Sequence, residues 1–349
     1  MSIKWLMENA AAPIKYILTN EKNYIPELLE NHEVKYWLEK LKNRAVNKDL
    51  SAVHGSHDYR YENIVGKCAI LGLSKDITEF DENITFVLDF LHGHIKNKEI
   101  GRKPLSFGKI YAYRDYETIL ACFLPMLGYH DDSAVKYITE KRINITYNFT
   151  KQKRYDIYVD GSKLKSVKKE WQPYIINPEL YSDGNISLPY AHDYILFAGM
   201  YKYLGKDLRE KIENTVEWLL DENYSKLNSR YGYFYVEGGQ YNAKAILMTL
   251  PLSYVLYTVY ILSHFKTSHK SDRFNMAMAY LDDFKTSDGT YNFPSEMLAE
   301  KPDNYVINSG HMNVGENEKF PKYREILSTY WMYKVNKNLI QLKTKEIKK

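Results

Sequence analysis

Three short segments of this 349-residue chain repeat one order of side chains, a basic residue, an aspartate and a tyrosine. They are His57-Asp58-Tyr59, Arg114-Asp115-Tyr116 and His192-Asp193-Tyr194. A hydrogen bond from an imidazole or guanidinium fixes the orientation of a carboxylate, and crowding of like charges raises the pKa of one carboxyl group so that it can donate a proton. The repetition therefore predicts an acid–base site with these catalytic candidates: Asp58, Asp115, Asp193, His57, His192 and Arg114.

Each segment opens a stretch with the pattern of a buried helix, and an amphipathic stretch follows each of these. The paired stretches are 57–73 with 81–95, 114–129 with 131–143, 192–204 with 207–220 and, more loosely, 252–265 with 272–284, before a last helix at 324–335. The second member of each pair opens with an aspartate, which is a favourable residue at a helix start. Glycines near the ends of the first members allow the chain to turn back.

Such pairs predict one all-α domain over residues 1–349, an α/α toroid (barrel) of about five to six helical hairpins. The inner helices of a toroid run parallel, so the three segments are expected to meet at one end of the central cavity. His54 and Glu62 are expected at the same rim. Residues 145–180 are expected to insert a small β-hairpin, because the run KRYDIYVDGSKLKSV alternates around the turn dipeptide Asp160-Gly161.

Tyrosine is unusually frequent, with 33 residues in a chain that is 15% aromatic. An aromatic wall can stack on sugar rings or stabilise a carbocation through its π faces. The same side chains also fill a wide barrel well, so both interpretations stay open. The predicted substrate-binding set is Tyr59, Tyr116, Tyr194, Tyr201, Tyr233 and Tyr235.

A purely structural interpretation of the repeated segments also stays open. An aspartate near a helix start is a preferred cap, and the tyrosine can be a packing residue of a duplicated hairpin. Capping alone, however, gives no reason for the adjacent histidine in two of the three copies. A further set, His311, Glu316 and Glu318, lies on a predicted loop that could serve as structure or ligate a metal.

Composition excludes several classes of protein. The 48 basic and 44 acidic residues are nearly balanced and give a net charge of +4, so nucleic acid is not an expected partner. The uncharged stretch 245–263 contains Pro251 and many hydroxyl groups, which favours a buried helix over a membrane span. Cys68 and Cys122 lie in apolar segments, as expected of reduced thiols. We expect a cytoplasmic protein with no targeting segment, no cofactor and no metal, whose oligomeric state the sequence leaves undetermined.

The opening KWLMENAAAPIKYILTN, the helix pairs and the loop SDGTYNFP resemble the terpenoid cyclase and protein prenyltransferase toroid superfamily. They are most similar to uncharacterised bacterial proteins with prenyltransferase/squalene-oxidase-type repeats. The chain departs from the characterised enzymes in two ways, because it contains no Asp-x-Asp-Asp acid motif and its cysteines do not follow the zinc pattern of the protein prenyltransferases.

The resemblance implies a terpenoid-cyclase-like enzyme, a lyase or isomerase, in which an aspartate protonates an isoprenoid inside the tyrosine-rich cavity. One alternative is a carbohydrate-active α/α barrel, a hydrolase or lyase that uses two carboxylates. A second alternative is a toroid without catalytic activity that binds a ligand or a protein. The expected partner is therefore a hydrophobic or sugar-like small molecule.

Overall fold

The protein is mostly helical, as predicted, with one small sheet. The computed structural model describes residues 3–99, 116–181, 186–227, 231–235, 243–246 and 255–347. The helices are α1 (Ile3–Asn9), α2 (Ala12–Thr19), α3 (Ile25–Glu30), α4 (His32–Asn47), α5 (Tyr61–Ile70), α6 (Thr78–Glu99), α7 (Tyr116–Ala121), α8 (Ser133–Thr150), α9 (Ala191–Met200), α10 (Lys206–Leu220), α11 (Glu222–Ser225), α12 (Val255–Leu262), α13 (Asp272–Asp282), α14 (Ser295–Leu298) and α15 (Tyr323–Ile347).

Local sequence explains where several helices begin. Asn31 caps α4 by accepting hydrogen bonds from the N–H groups of Glu33 and Val34. Asp132 caps α8 in the same way, at 2.8 Å from the nitrogen of Ala134. The short helical turn Pro125–Tyr129 ends through Gly128, whose φ of 97° is one that glycine adopts readily.

The helices pack in two series. In the first series, nearly every residue of α5, α9 and α12 is buried. The helices of this series contact one another in the order α5, α7, α9, α12 and α15. The second series is amphipathic and runs from α4 to α6, then to α8 and α10. In α10 the apolar stripe Ile212, Val216 and Leu219 is buried, as the helical period requires. Buried and amphipathic helices therefore alternate as predicted, and two of the predicted pairs pack directly on each other, α7 with α8 and α12 with α13.

The structure corrects two predicted boundaries. Helix α5 begins at Tyr61, so His57-Asp58-Tyr59 lies in the loop before it instead of in its first turn. The last helix is twice as long as expected, because α15 covers Tyr323–Ile347. Helix α9 begins at Ala191 and does place His192 and Asp193 in its first turn.

The sheet has the order β1-β2-β3-β4, from strands Tyr158–Val159, Ile175–Ile176, Tyr231–Phe234 and Ala243–Ile246. An antiparallel pair of strands, β1 and β2, does lie within the predicted region 145–180. The predicted turn at Asp160-Gly161 is wrong, because β1 pairs with β2 and not with the residues just after the turn. The Asp160 carboxylate accepts hydrogen bonds from the N–H and hydroxyl of Ser162 and so starts a short 3-10 turn. Strand β2 then pairs in parallel with β3, which joins the two β segments.

Both cysteines are buried and neither forms a disulfide. Among the described residues, no helix has both the length and the apolar character that crossing a bilayer needs. The predicted helix at 252–265 is represented by α12, which begins at Val255.

Candidate functional site

A buried carboxylate lies between two imidazoles where α5 and α9 begin. The Oε2 atom of Glu62 is 2.7 Å from Nε2 of His192, and its Oε1 atom is 2.6 Å from Nδ1 of His54. The side chains of Glu62, His192 and His54 are 1%, 2% and 8% exposed. We call these three residues the His-Glu-His cluster. It is the one group of three or more potential metal ligands that the described residues bring together.

Two neighbouring residues hold Glu62 in place. Its Oε1 accepts the N–H of Gly55 at 2.7 Å, so the loop before α5 folds back over the start of the helix. Asn63 supports the same loop, because its side-chain amide donates to the carbonyls of Gly55 and His57. Glycine suits position 55, where φ is 152°.

The cluster keeps Glu62 ionised. Burial alone would raise the pKa of this carboxyl. The charge of His54 and the hydrogen bond from His192 outweigh burial and lower the pKa to about 2. The second ring nitrogen of His192, Nδ1, is buried and has no hydrogen-bond partner among the described residues. The cluster is therefore a fixed carboxylate with an imidazole on each side, which suits proton transfer or metal binding.

The other predicted catalytic residues have different partners. Asp58 is partly exposed, accepts a hydrogen bond from Tyr36 and lies 3.2 Å from Lys40. Burial raises the pKa of Asp58, but the hydrogen bond from Tyr36 and the charge of Lys40 bring it below its usual value. Asp193 has no exposure and pairs with Arg142. The two carboxylates are thus held by separate partners, instead of by the shared cluster that the repeats predict.

The remaining members of the predicted set contribute little to the cluster. His57 is exposed, with Nδ1 2.9 Å from Asp303. Arg114 and Asp115 lie outside the described residues. Among the predicted catalytic residues that the structure describes, His192 alone belongs to the His-Glu-His cluster, together with His54 and Glu62, which were expected at the rim.

A second site lies at the opposite ends of the same helices. Two adjoining cavities of about 210 and 430 Å³ share the lining residues Asn20, Ser74, Met126, Tyr260 and Lys334. Their walls come from the carboxyl ends of α5, α9 and α12, from the turn after α7 and from α15. We call the two together the aromatic-lysine cavity. Its aromatic lining consists of Tyr16, Tyr201, Tyr203, Tyr257, Tyr260, Tyr330 and Trp331.

Three lysines give this cavity a positive mouth. Lys334 lies 5.8 Å from the Tyr260 ring, and Lys202 lies 4.6 Å from the Tyr203 ring. Lys337 follows Lys334 by one helical turn and lines the larger cavity. Within the part of the chain that the structure describes, no carboxylate lies within ion-pair distance of these three amines. Asp76 is the one carboxylate residue among the described lining residues.

Burial changes the charge states inside this cavity. Burial, and then the charge of Lys202, lower the pKa of Lys334 to about 8. Burial, and then the charge of Lys334, lower the pKa of His264 to about 4, so this imidazole is neutral near pH 7. Burial raises the pKa of Tyr260 to about 12. Near pH 7 the charges facing the cavity are therefore those of the lysines and of Asp76.

The predicted tyrosines divide between core and surface. Tyr201 lines the aromatic-lysine cavity and donates a hydrogen bond to Glu213. Tyr116 and Tyr194 are buried in the core, and Tyr59 is 47% exposed. Tyr233 stacks on Trp171 in the β region, and Tyr235 donates its N–H to the hydroxyl of Tyr181.

The set His311, Glu316 and Glu318 does not come together. Nδ1 of His311 lies 2.8 Å from Glu300, while Glu316 accepts the N–H of Ala11 and Glu318 is exposed. Glu300 also accepts a hydrogen bond at 2.5 Å from Lys67, whose side chain has no exposure. Sequence reasoning missed this buried network, although a lysine within the apolar run of α5 was a signal for it.

No protein-family model, curated protein or solved structure matches this chain.

Proposed function

We propose that this protein is an α/α toroid that binds an amphipathic anion of the isoprenoid diphosphate class in the aromatic-lysine cavity. The observation that carries the proposal is a wall of tyrosine and tryptophan that ends in three lysines without carboxylate partners among the described residues. A terpenoid-cyclase-like or prenyltransferase-like reaction on that substrate is the activity to be tested.

The order of helix contacts supports the toroid. The buried helices contact one another in chain order, and so do the amphipathic helices outside them. Glu62 and His192 join the first turns of α5 and α9, whereas Leu73 and Ala198, near the ends of these helices, line the adjoining cavities. The two helices therefore run in the same direction, as inner helices of a toroid do.

The aromatic residues suit the body of such a ligand. Tyr257, Tyr330 and Trp331 line the smaller cavity, and Trp331 also packs edge-on against Tyr260. An apolar chain gains free energy when it leaves water for such a wall, and π faces attract a positive centre that forms along it. A rigid wall of this kind also fixes the conformation of a flexible chain.

The lysines suit the head group. A diphosphate next to Lys202, Lys334 and Lys337 would neutralise amines that otherwise repel one another. Three ammonium groups repel a cationic head group and find no counter-charge on a neutral sugar, so they favour an anionic substrate. If the carbon–oxygen bond of the ligand breaks, its electron pair leaves with the diphosphate toward these lysines.

The lining argues against the carbohydrate alternative. Glycoside hydrolysis usually needs two carboxylates on either side of the scissile bond. Among the described lining residues, Asp76 alone supplies a carboxylate. Asp58 and Asp193 do not line either cavity, so the proposal does not use them as general acids.

The proposal is tested by thermal shift and calorimetry with farnesyl diphosphate, farnesol and inorganic diphosphate. We expect the intact ligand to raise Tm more than either fragment, because both halves of the cavity are then filled. Lys334→Met should weaken its binding at least tenfold, whereas Lys206→Met, at an exposed lysine on α10, should not. Equal binding of farnesol and farnesyl diphosphate would refute the proposal.

Product analysis separates an enzyme from a binding protein. Incubation of the binding-competent chain with farnesyl diphosphate, followed by mass spectrometry of the extract, would reveal a cyclised or transferred product and released diphosphate. Tight binding without any product would support the binding protein without catalytic activity.

A further inference from the structure

We infer that His54, Glu62 and His192 form a binding site for a divalent transition metal ion, with Zn²⁺ as the expected occupant. The site lies where α5 and α9 begin, away from the aromatic-lysine cavity at the other ends of these helices. The inference does not depend on the proposed function, because it uses different residues and a different ligand.

The donor set has the composition that such ions select. Two imidazole nitrogens and one carboxylate oxygen bind Zn²⁺ in sites that leave a further position open. The three residues each offer one such atom, and these atoms lie within 4.8 Å of one another. They come from a loop, from α5 and from α9, so the fold brings them together from positions up to 138 residues apart.

The geometry requires only small adjustments to take the ion. Zinc binds these donors at about 2.0–2.2 Å, which places the donors of a tetrahedral site about 3.4 Å apart. In the structure Oε1 of Glu62 lies 2.6 Å from Nδ1 of His54, and Oε2 lies 2.7 Å from Nε2 of His192. Each of these two contacts would therefore lengthen by less than about 1 Å. Rotation of the two imidazole rings about their side-chain bonds provides this movement.

The surroundings hold the donors in place. Glu62 is fixed by the Gly55 N–H, and the loop that carries His54 is tied to Asn63. His192 is followed by Asp193, which Arg142 holds with two hydrogen bonds of 2.8 Å. Ligands fixed by such neighbours lose little freedom when the ion binds.

A hydrogen-bonding role explains the cluster less well. Besides the N–H of Gly55, Glu62 has an imidazole on each of its two oxygens, which is one imidazole more than a hydrogen-bonded histidine–glutamate pair needs. Another buried pair of histidine and glutamate, His94 and Glu117, joins Nε2 to Oε1 at 2.9 Å without a second imidazole. This pair belongs to no three-ligand group among the described residues and therefore serves as a control.

The test uses the full chain, freed of any histidine tag and stripped with a chelator. Titration with Zn²⁺ and with Co²⁺ should show one equivalent bound, and the visible absorption of bound Co²⁺ should indicate a four- or five-coordinate site. Glu62→Gln and His192→Gln, which keep the side-chain volume nearly unchanged, should each weaken binding at least 100-fold. His94→Gln should leave it unchanged.

Folding of each variant is checked by circular dichroism and by cooperative thermal denaturation. If Glu62→Gln or His192→Gln does not fold, the Zn²⁺ titration of His54→Gln is compared with that of wild type instead. X-ray absorption of the zinc-loaded protein should give two nitrogen ligands from imidazole. Absence of a stoichiometric complex at millimolar zinc, or full binding by the folded Glu62→Gln and His192→Gln variants, would overturn the inference.

Discussion

Arg142 on α8 and Asp193 on α9 form a two-point ion pair in which neither side chain is exposed. Nε donates to Oδ1 and Nη2 donates to Oδ2, both at 2.8 Å. Asp193 also accepts the N–H of Tyr190, while Arg142 donates to the carbonyl of Ile186. The carboxylate therefore joins α8, the start of α9 and the segment before it, and both of its oxygens are occupied.

The first prediction concerns the loss of this carboxylate. Asp193→Ala removes the carboxylate that accepts two hydrogen bonds from the buried guanidinium of Arg142, so the free energy of unfolding should fall by about 3–5 kcal/mol. Asp58→Ala, whose partners can turn to water, should cost about 1 kcal/mol or less. Urea denaturation of both variants measures the difference. Similar losses for the two variants would contradict the assigned roles.

The second prediction concerns the buried amine of Lys67. Its Nζ donates to Glu300 at 2.5 Å and to the carbonyl of Asn313 at 2.6 Å. Lys67→Met should destabilise the protein by about 3–5 kcal/mol, because Glu300 then lacks its main counter-charge. Adding Glu300→Gln should restore part of this loss, with a coupling of about 1–3 kcal/mol. Strictly additive effects in the double-mutant cycle would show that the two groups are independent.

The third prediction concerns the pH dependence of stability and rests on Glu316. Burial raises the pKa of this carboxyl from 4.5 to about 7, although its Oε1 accepts the Ala11 N–H at 2.6 Å. The folded state then binds the proton more tightly than the unfolded state does. The contribution of Glu316 is fully present below pH 4.5 and declines as the pH rises to about 7.

Glu316→Gln keeps an acceptor for Ala11 but removes the titration. At pH 8 this variant should be more stable than wild type by about 2–3 kcal/mol, and at pH 4 the two should be nearly equal. Thermal denaturation across this pH range measures the difference. A constant difference between the two proteins at all pH values would exclude a raised pKa at this position.

The sequence predicts those features that depend on neighbouring residues. The pairing of buried with amphipathic helices follows from the helical period, and the cap at Asp132 follows from its place before α8. The turn at Asp160 shows the limit of such reasoning. Asp-Gly favours a hairpin, yet the side chain of Asp160 binds Ser162 and the strand pairs with β2 instead.

The candidate sites depend on distant contacts, which local patterns do not contain. Glu62 meets His192 across 130 residues; the repeat predicts that both lie at one rim, but no local pattern indicates that they contact each other directly. Position in the repeat suggested that Asp58 and Asp193 are equivalent, but Arg142 lies in the middle of α8 and contacts only the second of them. Lys334 falls in the last predicted helix, and only the packing of α15 places it in a cavity wall.

The last prediction links pH to ligand binding through Lys334. Its amine has a pKa of about 8, and it faces Lys202 and Lys337, the neutral groups His264 and Tyr260, and Asp76 across the cavity. Above pH 8 this ammonium loses its proton and attracts an anionic head group less. The affinity for farnesyl diphosphate should therefore fall about tenfold between pH 7 and pH 9, as expected when one group must be protonated.

Lys334→Met provides the control, because it removes this titration while Lys202 and Lys337 remain. Its affinity should be lower at pH 7 and nearly constant up to pH 9, so the curves of the two proteins should converge at high pH. Calorimetric titration at several pH values, corrected for buffer ionisation, also counts the protons taken up on binding. Parallel curves for wild type and variant would place the pH-sensitive group elsewhere in the cavity and would remove Lys334 from the head-group site.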